Sequence, residues 1–166
     1  MRDLVAGIIA VALLIIAASL ATTLQYFRKR RLRARESERA LGRTVIAEIP
    51  AAEDMVLFSE DADAFHYGAV VIRKDSIAAA RVLINGTPIA AVVSSLHPEA
   101  SSLHPTSFED RPEGIARDRW DVALETLDAN QGMVLVECGA IRERVSQELA
   151  RSVFDVVKRA VERGSR

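Results

Sequence analysis

The chain has 166 residues, enough for one small folded domain in addition to an anchoring segment. Residues 1–43 hold nine basic and three acidic side chains, whereas residues 44–166 hold 13 basic and 20 acidic ones. The acidic character of the larger part excludes nucleic acid as an expected partner. The single cysteine, Cys138, excludes an intramolecular disulfide and suits a reducing compartment.

The first predicted element is a membrane-spanning helix. Residues 4–24 contain no charged residue and no proline. As a helix they would extend about 31 Å, close to the thickness of the hydrocarbon core of a bilayer. We therefore predict a single transmembrane anchor over residues 1–27, with Tyr26 and Phe27 at the interface. The alternative is a cleaved signal peptide, but the apolar stretch is longer than such peptides carry and the residues before it are hardly basic.

A dense basic run follows the predicted span and is expected to continue the helix as a short stalk up to Gly42. The residues predicted to contact the membrane surface are Arg28, Lys29, Arg30, Arg31, Arg33 and Arg35. Basic residues beside a span are retained on the cytoplasmic side. We thus expect a prokaryotic inner (plasma) membrane protein with its N-terminus outside and its C-terminal domain in the cytoplasm. The expected partners of the run are the bilayer and its anionic lipid head groups, rather than nucleic acid or an acidic protein.

From residue 43 onward the sequence predicts alternating strands and turns. β-Branched and apolar runs bounded by proline, glycine, asparagine or acidic residues are typical of strands. The predicted strands are residues 44–49, 55–58, 65–73, 77–84, 88–94, 120–127 and 133–137. Residues 77–84 are ambiguous, because Asp75 or Ser76 could cap a helix there. We favour two strands, since Asn85 and Gly86 between apolar runs are a strong hairpin signal.

The last predicted element is an amphipathic helix. Its apolar face comprises Ile141, Val145, Leu149, Val153, Val156, Val157, Ala160 and Val161. The predicted fold class is α+β: an N-terminal single transmembrane helix, then a small, mainly antiparallel sheet domain of five to seven strands covered by this C-terminal helix. The predicted boundaries are residues 1–27 for the anchor, 28–42 for the basic juxtamembrane stalk and 43–166 for the soluble domain.

A long irregular stretch, residues 95–118, separates two of the predicted strands. The sequence Ser-Ser-Leu-His-Pro occurs twice, seven residues apart, at residues 94–98 and 101–105. Long loops are often functional, and extended proline-containing segments bind partners with little loss of entropy. The alternative is a duplication tolerated in a loop. The predicted partner contacts are Leu96, His97, Leu103, His104 and Trp120.

Four features resemble chemical sites, and each has a simpler explanation. His97 and His104 with Glu99 offer metal-ligand chemistry at a loose spacing. His66 is expected to be a packed or surface residue. Cys138 is expected to be buried and unreactive, because an acidic neighbour raises the pKa of a thiol. The acidic residues Glu53, Asp54, Glu60, Asp61 and Asp63 lack a calcium-loop framework and predict a solvated loop.

The sequence therefore supports two hypotheses of different class. No hydrolase elbow, phosphate-binding loop or paired-cysteine motif is found, so we predict no enzymatic activity, no metal and no cofactor. The first hypothesis is a membrane-anchored, non-enzymatic interaction or assembly module that binds a protein partner or itself. The second is a membrane-tethered small-ligand sensor or enzyme with its site near residues 94–120. There, Arg111, Arg117 and Arg119 flank Trp120 and form either an anion or partner site or a charged strand edge.

Overall fold

The computed structural model describes residues 2–51, 55–95, 119–128 and 132–164, with side chains from residue 12 onward. The chain divides into two compact units, Met1–Leu41 and Gly42–Arg166. The first unit is one helix and the second holds the sheets. The α+β class predicted from the sequence is confirmed.

Helix α1, Arg2–Ala40, makes up the first unit. The predicted continuation of the helix through the basic stalk is confirmed. The chain leaves the helix at Leu41, whose N–H donates to the carbonyl oxygens of Ser37 and Glu38 at 3.2 and 3.1 Å. Gly42 then adopts a φ of +76°, the left-handed conformation that commonly ends a helix.

The predicted transmembrane span is not supported by the part of the chain that the structure describes. None of the helices formed by those residues is both long and apolar enough to cross a membrane.

The second unit begins with an antiparallel meander of four strands. These are β1 (Thr44–Pro50), β2 (Met55–Glu60), β3 (Ala64–Tyr67) and β4 (Val70–Arg73), in that order across the sheet. The prediction of one strand over residues 65–73 is wrong, because Gly68 interrupts it. Gly68 adopts a φ of +58° in a two-residue turn that pairs Tyr67 with Val70. A positive φ at the first turn position favours glycine, and the chain folds back there.

A second antiparallel sheet follows a short 3₁₀ helix, Lys74–Ser76. Its strands are β5 (Ile77–Ile84), β6 (Thr87–Val93), β7 (Arg119–Thr126) and β8 (Met133–Ala140), and their spatial order is β6-β5-β7-β8. The two-strand interpretation of residues 77–84 and 88–94 is confirmed. Asn85 and Gly86 adopt φ values of +52° and +79°, the backbone that a type I′ hairpin turn requires.

Helix α2, Arg144–Gly164, packs on strands of both sheets. The two sheets and α2 share one hydrophobic core. Its fully buried side chains include Phe58, Phe65, Ile72, Leu124, Val136, Val153 and Val157. The covering C-terminal helix is thus confirmed. The expected single sheet of five to seven strands is wrong, because the unit has eight described strands in two sheets.

The buried face of α2 differs from the predicted face in its first turn. Val145 is 62% exposed, whereas Ser146 is 2% exposed. Ser146 fits closely against Gly139 of β8, where an added Cβ would lie 2.6 Å from the Ser146 hydroxyl oxygen. The small residue at each position lets the helix approach the strand, and this contact sets which helix face is buried.

A buried and an exposed valine in α2 give a matched pair of substitutions. Val153 is 0% exposed and Val145 is 62% exposed, and both lie in α2. We expect Val153→Ala to lower the free energy of unfolding of the full chain by about 2 kcal/mol, because it leaves a cavity in the core. Val145→Ala should change it by less than about 0.5 kcal/mol. Chemical denaturation followed by circular dichroism measures both, and equal losses would contradict the packing described above.

Candidate functional site

A cluster of charged side chains surrounds the start of β7, beside the predicted contact residue Trp120. Asp121 lies directly across from Glu137 of β8. Arg119 lies between these two carboxylates, with Nε 2.6 Å from Asp121 Oδ1 and a terminal nitrogen 2.8 Å from Glu137 Oε1. We call Arg119, Asp121 and Glu137 the β7 charge cluster. Like charges placed directly opposite on two strands repel, and the arginine offsets this repulsion.

A second ion pair lies on the same face of the sheet, between Arg81 of β5 and Glu125 of β7. Residues 119, 121 and 125 share a face because side chains alternate along a strand. Arg81 and Asp121 are each only 5% exposed, so these charges are buried. Burial lowers the pKa of Arg81. Buried charges of this kind occur both in binding sites and in structural networks.

Trp120 lies on the opposite face of β7 and packs against the hydrophobic core. Its indole Nε1 is buried, and in the described ranges this N–H has no hydrogen-bond acceptor. A buried indole N–H normally has a partner, which marks this position as unusual. Trp120 is therefore half-buried rather than a freely exposed contact residue. The other predicted contacts, Leu96, His97, Leu103 and His104, lie outside the described residues, as do Arg111 and Arg117.

The predicted acidic loop is an ordered turn between β2 and β3. Asp61 Oδ1 accepts hydrogen bonds from the N–H groups of Asp63 and Ala64 at 2.9 and 2.8 Å. The other oxygen, Oδ2, lies 2.7 Å from His66 Nε2. These three hydrogen bonds lower the pKa of Asp61 to about 2, and the one with His66 has the largest effect. Glu53 and Asp54, also assigned to the acidic cluster, lie outside the described residues.

Lys74 holds the same turn from the other side. Its ammonium group donates to the carbonyl oxygen of Asp61 at 2.6 Å and lies 3.3 Å from Glu60 Oε2. It also lies 5.0 Å above the ring of Phe65. Local sequence patterns do not reveal this arrangement, because the lysine is 13 residues beyond Asp61, whose turn it stabilises.

Ser59, His66 and Asp61 bring together the three side-chain types of a hydrolase triad. Ser59 lies directly across from His66 on the adjacent strand. Ser59 is only 1% exposed and His66 only 6%, however, so a substrate has no access to the hydroxyl group. Catalysis requires the nucleophile to contact its substrate. His66 is therefore a packed histidine, which agrees with the sequence-based expectation.

A surface cleft of about 710 Å³ lies beside this turn, between the end of β4 and the C-terminal turns of α2. Its charged lining comprises Glu60, Asp63, Arg73, Lys74, Asp75, Arg159 and Arg163. Arg73 forms an ion pair with Asp75, and Lys74 forms one with Glu60. Four of these seven charged residues are thus paired with one another within the cleft wall.

Cys138 is buried in the core, as the sequence predicts. Burial, reinforced by the Asp121 carboxylate, raises the pKa of its thiol to about 12. The thiolate needed for nucleophilic chemistry is therefore scarce at neutral pH. Among the residues with described positions, no three His, Cys, Asp or Glu side chains are grouped so that they could hold a metal ion.

Comparison with known proteins adds no functional information: no family model, no curated protein and no solved structure matches this chain.

The β7 charge cluster gives a second matched pair of substitutions. The Arg119 side chain is 18% exposed and neutralises the 7% exposed side chain of Asp121, whereas Arg144 is 89% exposed in its pair with Glu148. We expect Arg119→Ala to cost about 3 kcal/mol of unfolding free energy, because it leaves a buried carboxylate without this partner. Arg144→Ala should cost less than about 0.5 kcal/mol. A cost below about 0.5 kcal/mol for Arg119→Ala in denaturant titrations would show that Arg119 is not needed for stability.

The Asp61 turn predicts a specific acid sensitivity. The pKa of Asp61 is about 2 in the folded chain, against an ordinary value of 3.8. The folded state then binds fewer protons than the unfolded state between these values, so the stabilisation is complete above about pH 4 and is lost as the pH falls toward 2. Asp61→Asn should flatten the decline of stability over this window. Thermal unfolding followed by fluorescence of the single tryptophan measures it, with exposed Asp155→Asn as the control. Equal declines in wild type and Asp61→Asn would contradict the assignment.

Proposed function

We propose that the chain is a single-pass membrane-anchored protein whose second unit is a non-enzymatic interaction or assembly module of a membrane complex. The observation that carries this proposal is the exposure of large apolar side chains around α1. The consecutive residues Leu13, Leu14, Ile15 and Ile16 are 60%, 69%, 65% and 55% exposed.

Exposure of four consecutive apolar residues means that every side of this turn of the helix is apolar, because successive side chains are rotated by about 100°. A helix that lies in the plane of a membrane surface would instead have one apolar and one polar face. A helix that is apolar all round is typical of a membrane span or of a deeply buried core helix. The proposed span comprises residues 4–24. The structure describes side chains only from residue 12 onward in this span.

The basic run supports the proposed orientation. Arg28, Lys29, Arg30, Arg31, Arg33 and Arg35 are all exposed on α1 directly after the apolar stretch. They surround the helix rather than forming one stripe, which suits contact with head groups on all sides of a span. Anionic lipid head groups attract such residues by about 1 kcal/mol each. We therefore propose that the second unit lies on the cytoplasmic side of a bacterial inner membrane, with the N-terminus outside.

An interaction role is favoured over catalysis because several charged groups in the described part of the second unit hold its strands and turns. Asp61, Lys74 and Arg119 each make contacts that fix a turn or a strand pair. The proposed protein contacts remain Trp120 and the four residues Leu96, His97, Leu103 and His104.

Membrane insertion is tested with the full chain in a bacterial host. Fusion of alkaline phosphatase or a fluorescent protein after the C-terminus should give fluorescence without phosphatase activity, and the chain should stay in the membrane during alkaline extraction. Leu14→Arg combined with Ile15→Arg should release it, because each arginine costs about 3 kcal/mol at the centre of a span. Leu32→Arg, which lies outside the apolar stretch, is the matched control. Release of the wild-type chain at alkaline pH, or phosphatase activity, would overturn the proposed anchor or its orientation.

A further inference from the structure

The cleft beside the Asp61 turn has the dimensions of a small-molecule site. Its volume of about 710 Å³ lies within the range of ligand pockets, about 300–1,000 Å³. One wall is formed by the β2–β3 turn and the end of β4, and the other by the last turns of α2. Both walls belong to the second unit, so an inference from this cleft does not rest on the proposed membrane anchor.

The α2 wall combines apolar surface with two arginines. Val156 and Ala160 are half-buried and pack against the hydrophobic core. Arg159 and Arg163 are exposed and line the same cleft. Side chains three or four residues apart are neighbours on a helix, so the two pairs form one stripe. This stripe presents apolar groups next to two positive charges.

The cations of the opposite wall are engaged by neighbouring groups. The Lys74 ammonium lies 3.3 Å from Glu60 Oε2 and donates to the carbonyl oxygen of Asp61 at 2.6 Å. Arg73 donates to Asp75 through its Nε at 3.0 Å. A new anion on this wall would have to compete with these contacts.

The arginines of the α2 wall are less engaged. Arg159 Nε donates to the carbonyl oxygen of Asp155 at 3.2 Å, which leaves its terminal nitrogens available. The ion pairs of α2 in the described part of the chain lie elsewhere on the helix, at Arg144–Glu148 and Lys158–Glu162. Arg159 and Arg163 can therefore bind an anion in the cleft without breaking an ion pair described for the helix.

We propose that this cleft binds a small aliphatic monocarboxylate. Arg159 and Arg163 hold the carboxylate group, because guanidinium groups bind carboxylates through paired N–H donors. Val156 and Ala160 contact the aliphatic body, which gains from leaving water.

The charge of the cleft favours a carboxylate over a phosphate. A phosphate group is bound by the same guanidinium donors, but it carries about twice the charge at neutral pH. Asp63 also lines the cleft and lies outside its described ion pairs. Its carboxylate repels a dianion about twice as strongly as a monoanion at the same distance.

Binding is measured on the full chain, purified in a mild detergent, with isovalerate as the probe. Saturation-transfer difference NMR near neutral pH should detect isovalerate with a dissociation constant in about the millimolar range, as suits so few atoms. Isovaleramide has the same body without the charge and should bind more weakly. Isobutyl phosphate should also bind more weakly, and tighter binding of this dianion would overturn the carboxylate assignment.

Two arginine variants test the residues of the site. Arg159→Gln and Arg163→Gln should each weaken isovalerate binding about tenfold, because each removes charged donors. Arg151→Gln, an exposed arginine of α2 outside the cleft, is the matched control and should leave binding unchanged. Arginines near a helix C-terminus also interact favourably with the helix dipole. If that is their whole role, the variants will lose stability but bind isovalerate as the control does, which would overturn the proposal.

A charge removal on the opposite wall gives the second arm. Asp63→Asn should raise the affinity for isobutyl phosphate more than that for isovalerate, because the carboxylate repels the dianion more strongly. Partial unfolding cannot produce a gain in affinity, so this arm is independent of any stability lost in the arginine variants. Absence of isovalerate binding to the wild-type chain, or unchanged phosphate affinity in Asp63→Asn, would overturn the proposed site.

Discussion

The second sheet depends on neutralising the carboxylates of a central strand. Strand β7 pairs with β5 on one side and β8 on the other, so its backbone is fully enclosed in the sheet. One face carries Val122 and Leu124 into the hydrophobic core, whereas the other face carries Asp121 and Glu125. Carboxylates buried without a partner would cost several kcal/mol each. The carboxylates of Asp121 and Glu125 therefore form one structural unit with Arg119, Arg81 and the strands on either side of β7.

The first sheet uses a different solution, in which short polar contacts hold the turns. The Asp61 carboxylate satisfies two backbone N–H groups and the His66 ring, and the Lys74 ammonium satisfies the carbonyl oxygen of the same residue. This leaves the opposite face free for the stacked rings of Phe58 and Phe65, whose centroids are 5.6 Å apart. The turn and the core are thus coupled, because the lysine that fixes the turn also covers Phe65.

Local sequence rules predicted the elements whose cause is local. The hairpin at Asn85, the end of α1 at Gly42 and the C-terminal helix each follow from residue type and spacing alone. The break at Gly68 was missed because the apolar residues on both sides resemble one continuous strand. The division into two sheets was also missed, because strand partners are selected by contacts between distant residues.

The candidate site shows the same division between local and distant causes. The burial of Cys138 and His66 could be expected from residue type and neighbours. The Arg81–Glu125 pair joins residues 44 positions apart, and only the register of β5 against β7 places them together. The exposed face of α2 at Val145 likewise depends on the contact between Ser146 and Gly139. Periodicity cannot reveal such a contact.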